Sequence, residues 1–112
     1  MMKDYKETNM RPALYATYYA MLRETAMDNG YALAIHGSLL NDMDLIAVPW
    51  IEKPSSPLDL VKALMDKIGM GYLDDSYLET MKGLKPHGRI AYSLSSGGGG
   101  YIDISIMPLT NK

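Results

Sequence analysis

Two short apolar segments, separated by only a few residues, restrict the fold of this chain more than any other feature. The first is 31–36 (YALAIH) and the second is 42–50 (DMDLIAVPW). The link between them, 37–41, is too short for the helical crossover that neighbouring parallel strands need. We therefore predict an antiparallel pair of strands, joined by a tight turn that begins at Gly37 and Ser38.

Helical patterns flank this pair on both sides. Over 13–28, apolar and aromatic residues recur at helical spacing, and Asn29-Gly30 supplies a stop. After the pair, Ser56-Pro57 with an acid shortly afterwards is typical of a helix start, and an apolar stripe runs over 60–68. Residues 1–11 are predicted to be a polar lead-in.

The last third of the chain adds two more strands. Residues 89–94 are apolar and 101–107 alternate with period two, while the serines and glycines between them fit a hairpin tip. Residues 76–82 favour one or two helical turns. The element order is therefore α-β-β-α-(α)-β-β, an α+β fold with a small mixed or antiparallel sheet and helices packed on one face.

Size and composition favour one soluble domain over 1–112. The hydrophobic fraction of 47% and charged fraction of 21% are those of a globular protein. A formal charge of −2 gives no global attraction for nucleic acid, so any such contact must come from a local patch, and none is evident in the sequence. The absence of cysteine excludes disulfides and thiolate metal sites. With neither a signal-peptide pattern nor an apolar run of membrane-spanning length, we expect a cytoplasmic protein without membrane contact.

Three aspartates on predicted strands are the main candidates for chemistry. Asp42 and Asp44 should share one face of their strand, and Asp103 interrupts an apolar run in which a carboxylate needs a partner. If the three converge, a divalent cation would relieve their repulsion, and Mg²⁺ suits oxygen ligands. Taken singly, the aspartates have simpler explanations: a solvated strand start for the first two, and an exposed edge-strand position for Asp103.

The order of these motifs resembles the polymerase-beta-like nucleotidyltransferase superfamily. Gly37-Ser38 comes first, then Asp42-Met43-Asp44, then Asp103 in a later strand, with a helix before the first strand. The resemblance spans about 13–108. It implies that Gly37 and Ser38 contact nucleotide phosphates and that the three aspartates are catalytic and hold Mg²⁺. One departure is that 39–41 replace a longer family link containing a helical turn.

Two functions follow from this resemblance. The first is a metal-dependent nucleotidyltransferase that moves a nucleotidyl group from a nucleoside triphosphate to an unidentified acceptor. The alternative is a catalytically inactive module of the same fold that binds and regulates a protein partner, which the short link and small size favour. The segment 36–50 also resembles small proteins of phage or prophage type, a likeness that implies no activity.

Cationic side chains before the strand at 89–94 are further candidates. Lys85, His87 and Arg89 could contact a substrate phosphate or transfer a proton, or they form a solvated turn. His36 is either a substrate contact or a strand-end histidine. The glycines 97–100 do not form a phosphate loop, because a strand follows them and no Gly-Lys-Ser/Thr is present.

Overall fold

The computed structural model describes residues 11–95 and 100–109 of the chain. Its elements in chain order are α1 (Arg11–Asp28), β1 (Tyr31–His36), β2 (Met43–Pro49), α2 (Pro57–Lys67), α3 (Asp75–Thr80), β3 (Lys82–Leu84), a 3-10 turn (Pro86–Gly88), β4 (Ile90–Ser95) and β5 (Tyr101–Ile106). Residues 1–10 of the expected lead-in and 96–99 of the expected hairpin tip lie outside the described residues.

The five strands form one mixed sheet in the order β1-β2-β5-β4-β3. β1 and β2 are antiparallel neighbours, as their short link predicts. β5 is inserted at the centre of the sheet, parallel to β2 and antiparallel to β4. The alternative that placed Asp103 on an edge strand is therefore wrong, because β5 has a hydrogen-bonded partner on each side.

The core lies between one face of the sheet and the helices. Leu22 of α1, Leu64 of α2 and Leu78 of α3 are fully buried in one apolar cluster with the inward residues of the strands. Those strand residues are Tyr31, Leu33, Met43, Leu45, Ala47, Tyr92, Leu94, Ile102, Ile104 and Ile106. The predicted α+β fold with helices on one sheet face is confirmed. The opposite face, which we call the open face, carries no helix from the described part of the chain.

Local signals account for the helix ends. Ser56 caps α2 by accepting the N–H of Asp59 at 3.2 Å, and Pro57 occupies the first turn. The stop after α1 requires a glycine, since Gly30 has φ +88° and a Cβ there would lie 2.7 Å from Ile51 Cδ1. None of the helices among the described residues has both the length and the apolar character that a membrane span needs.

The region 70–88 differs most from the prediction. α3 has six residues, and Asp74 caps it by accepting the N–H of Tyr77 at 2.9 Å. Residues 82–84 then form β3, an edge strand that we did not predict. Three residues are too few to display a period-two pattern, and the strand exists because it pairs with β4.

Candidate active site

Four polar side chains form a row across the open face of the sheet. His36 on β1 pairs with Asp44 on β2, and Asp44 pairs with Asp103 on β5. Asp103 pairs in turn with Ser93 on β4. Their neighbours along each strand pack in the core, so alternation turns all four side chains to the other face. Strand register alone thus aligns this polar row, with neighbouring strands about 4.8 Å apart.

Asp44 and Asp103 interact directly at the centre of the row. Burial raises the pKa of Asp44, and the hydrogen bond and negative charge of Asp103 raise that pKa further. His36 opposes this shift, while the charge of Asp42 adds to it. The pair therefore brings two carboxyl groups into contact, an arrangement that gains from a shared proton or a bound cation.

Ser93 orients one carboxylate of this pair. Its hydroxyl donates to Oδ1 of Asp103 at 2.6 Å, a length typical of a charge-assisted hydrogen bond. We did not predict a role for Ser93 from the sequence. The available signal was its outward position on β4, between the core residues Tyr92 and Leu94.

Gly37 creates the space that the Asp44 carboxylate occupies. It has φ +85°, and a Cβ there would lie 2.8 Å from Asp44 Oδ2. The next residue, Ser38, accepts the N–H of Leu40 on its Oγ at 3.2 Å. Residues 37–42 contain no helical turn, so this loop does not present a helix N-terminus to a phosphate.

Asp42 is placed differently from the prediction. β2 begins at Met43, so Asp42 precedes the strand, and its Oδ1 accepts the N–H of Tyr101 at 3.0 Å. This bond ties the start of β2 to the start of β5 and supports the register that aligns Asp44 with Asp103. Among residues 11–95 and 100–109, no group of three or more His, Asp or Glu side chains is arranged to hold one metal ion. The structure thus brings two of the three aspartates into contact.

Close packing behind the row holds the two strand starts together. The Tyr15 hydroxyl donates to the carbonyl oxygen of Asn41 at 2.7 Å. Gly100 packs against the same carbonyl, and a Cβ on Gly100 would overlap it and lie 2.5 Å from the Tyr15 hydroxyl oxygen. Gly100 is therefore required for a close backbone approach, a role that its position at the end of a glycine run did not reveal.

The structure separates the predicted cationic residues. Lys85 and His87 are exposed at the end of the sheet where β4 begins. Arg89 instead donates from Nη1 to Oγ of Ser105 at 2.9 Å. Ser105 lies two residues beyond Asp103 on the open face, a step of about 7 Å along β5. Of these three residues, only Arg89 reaches toward the carboxylate pair.

Comparison with known proteins places the chain in no family. No protein-family model matches it, and neither does any curated protein or solved structure. What the site can do is therefore inferred from its own geometry and from the motif resemblance.

Proposed function

We propose that this protein is a divalent-cation-dependent nucleotidyltransferase in which Asp44 and Asp103 supply the cation ligands. The observation that supports the proposal is the pairing of these carboxylates on adjacent parallel strands of the open face. Their like charges and the raised pKa of Asp44 describe a site that a cation would stabilise. Mg²⁺ suits it, because proteins commonly hold this ion by one or two carboxylates together with waters and substrate phosphates.

Separate groups of the chain have separate roles in this proposal. Asp44 and Asp103 hold the cation, which when bound neutralises phosphate charge and the charge that develops during transfer. Ser38 keeps its hydroxyl hydrogen to donate to a phosphate oxygen, since its Oγ already accepts a backbone N–H. Arg89 donates to a phosphate from the other side of the pair. Asp42 acts as a positioning residue through the backbone of β5.

The proposed reaction is an in-line displacement at the α-phosphorus of a nucleoside triphosphate. The hydroxyl oxygen of the acceptor forms the new bond to phosphorus, the bond to the bridging oxygen breaks, and pyrophosphate leaves. Asp103, oriented by Ser93, takes the hydroxyl proton and passes it to solvent.

Thermal unfolding with Mg²⁺ and each of the four common nucleoside triphosphates tests the proposal. A ligand that binds only the folded protein at 100 times its Kd adds about 2.7 kcal/mol, which raises Tm by about 10 °C in a domain of this size. Asp44→Asn and Asp103→Asn should each abolish the shift. Asp66→Asn, at an exposed position on α2, is the matched control and should retain it.

Two results would contradict the proposal. One is an unchanged Tm of the wild-type protein with all four nucleotides. The other is an equal shift in the Asp44→Asn/Asp103→Asn double variant, because binding would then not involve the pair. Release of pyrophosphate, with the α-phosphate label retained on an acceptor, distinguishes nucleotidyl transfer from binding alone.

A second candidate function is a catalytically inactive module that binds a protein partner. The loop 37–42 offers no helical turn to a triphosphate, and the open face also carries small or apolar residues: Ala32, Ala34, Ile46 and Val48. In this case Ile46→Lys should abolish partner binding, whereas Asp44→Asn should retain it. Affinity capture with both variants measures the difference. Loss of the partner with Asp44→Asn alone would count against a module of this kind.

A further inference from the structure

An open cleft of about 930 Å³ lies at the far end of the open face from the carboxylate pair. Its walls include Val48 near the end of β2, Trp50 just after that strand, and Met107 and Leu109 after the end of β5. The Trp50 side chain is 59% exposed although it is the largest apolar group of this region. Ligand pockets of this size are commonly apolar with a few polar groups, and His87 supplies one here.

The cleft and the carboxylate pair lie on the same side of the sheet. Alternation along β2 places Val48 on the face of Asp44. The backbone N–H of Met107 donates to the carbonyl of Ala47 at 2.9 Å, which extends the parallel ladder and keeps Met107 on the face of Asp103. Four residues along a strand separate the two sites, a distance of about 13 Å.

Arg89 lies between these two sites. Its guanidinium is anchored to Ser105, the open-face residue halfway between Asp103 and Met107. Among the described residues, Arg89 has no carboxylate within ion-pair distance, whereas Lys62 and Lys82 do. The face therefore carries, in order, two carboxylates, an arginine with no carboxylate partner among the described residues, and a cleft of mixed apolar and polar lining with an exposed indole.

We propose that the cleft binds the nucleobase of the nucleotide, with the base stacked on the indole of Trp50. This inference rests on the proposed function and assigns an orientation to its substrate. The α-phosphate lies between the carboxylate pair and Arg89, the outer phosphates lie toward Gly37 and Ser38, and the ribose crosses the face toward Val48. The order of groups on the face matches the order in a nucleotide, in which a phosphate is joined through a sugar to a flat aromatic base. Aromatic side chains bind bases by stacking with little dependence on base identity.

The single tryptophan of the chain makes this proposal directly measurable. Titration with ATP and Mg²⁺ should quench Trp50 fluorescence, and titration with inorganic tripolyphosphate and Mg²⁺ should bind without quenching it. Trp50→Ala should weaken ATP binding about 10- to 100-fold and leave tripolyphosphate binding unchanged. Tyr72→Ala, at an aromatic that is 77% exposed and does not line the cleft, is the control and should change neither affinity.

The outcomes separate this inference from the proposed function. If ATP and Mg²⁺ raise Tm but neither quench Trp50 nor bind more weakly to Trp50→Ala, the base lies elsewhere and only this inference is wrong. Equal quenching by tripolyphosphate would also overturn it, because the signal would then arise without a base. If none of the four nucleoside triphosphates with Mg²⁺ raises Tm or quenches Trp50, both proposals are wrong.

Discussion

The helix-covered face and the open face of the sheet are built from alternate residues of the same strands, yet they differ in chemistry. On β5, Ile102, Ile104 and Ile106 are at most 1% exposed beneath the helices. On the other side of the same strand, Asp103 contacts the carboxylate of Asp44, and Ser105 accepts a hydrogen bond from Arg89. The packed face sets the register, because a slip of one residue would bring these polar side chains into the core. The polar row is thus aligned by the core behind it.

The largest effect should come from the covered face. Ile104→Ala removes a fully buried side chain from the central strand and should lower the free energy of unfolding by about 2–5 kcal/mol. Urea denaturation measures the loss. If this variant does not fold, Ile104→Val should still show a loss of about 0.5–1.5 kcal/mol.

Tyr101 provides the matched position on the open face of the same strand. It is 50% exposed, so Tyr101→Ala should change stability by about 0.5 kcal/mol or less. A loss close to that of Ile104→Ala would break the contrast between the faces, since it would mean that the open face is also packed.

A second prediction concerns Gly37, which lies in the loop between β1 and β2 and contacts the Asp44 carboxylate. Gly37→Ala places a Cβ 2.8 Å from Asp44 Oδ2 at a positive φ, and should cost about 1–3 kcal/mol. Gly69→Ala is the matched control, because φ is +84° there and nothing lies within 4 Å of the added Cβ. Urea denaturation of both variants separates backbone strain from the contact with the carboxylate.

A double-mutant cycle tests whether that contact is the cause. If the Cβ displaces the Asp44 carboxylate, Asp44→Ala should recover the part of the Gly37→Ala loss that exceeds the Gly69→Ala loss. Additive losses from Gly37→Ala and Asp44→Ala would show that the two residues do not constrain each other.

Helices and strands with a clear period could be predicted from the sequence, and so could the antiparallel contact between β1 and β2. The insertion of β5 between β2 and β4 could not, because strand order depends on long-range packing that no local pattern encodes. β3 was missed because its three residues are too few to show a period.

The site was predictable in its residue types and not in its contacts. Asp44 and Asp103 were both named, but their meeting requires the parallel register of β2 with β5. The period-two pattern predicts that Asp42 and Asp44 share a strand face. It does not predict that the Asp42 carboxylate accepts a hydrogen bond from the backbone N–H of Tyr101. The sequence places Ser93 on the outward side of its strand, but its contact with Asp103 cannot be predicted until the neighbouring strand is known.

A third prediction is that replacing the Asp44 carboxylate on the open face stabilises the metal-free protein. The pKa of Asp44 is raised above its ordinary value of about 3.9, so the folded state binds its proton more tightly than the unfolded state. The free energy of unfolding therefore falls as pH rises through the window between the ordinary pKa and the raised pKa, and the deficit is complete above the raised pKa. Asp44→Asn should recover less than about 1 kcal/mol at pH 7 in EDTA, because solvent screens this partly exposed pair.

Urea denaturation from pH 4 to pH 8 checks this prediction. The groups that face Asp44 are His36, Asp42 and Asp103, so the curve of Asp44→Asn should be flatter but not flat. Asp66→Asn should leave the pH dependence unchanged. A loss of stability at pH 7 in Asp44→Asn would show that the pair is stabilising as it stands and would remove one support for a cation site.

The smallest change in stability should come from replacing Ser93 on the open face. This variant should affect metal binding much more than folding. Ser93→Ala removes the hydrogen bond to Asp103 from an exposed position and should alter the free energy of unfolding by about 0.5 kcal/mol or less. Residues that orient a metal ligand commonly change metal affinity 10- to 100-fold, so Mn²⁺ binding measured by calorimetry should weaken by about 10-fold. Ser93→Thr keeps the hydroxyl and should restore it. Unchanged Mn²⁺ affinity in Ser93→Ala would show that the carboxylate does not need this orientation, whereas a loss of stability above 1 kcal/mol would show that the polar row contributes to the fold as the core does.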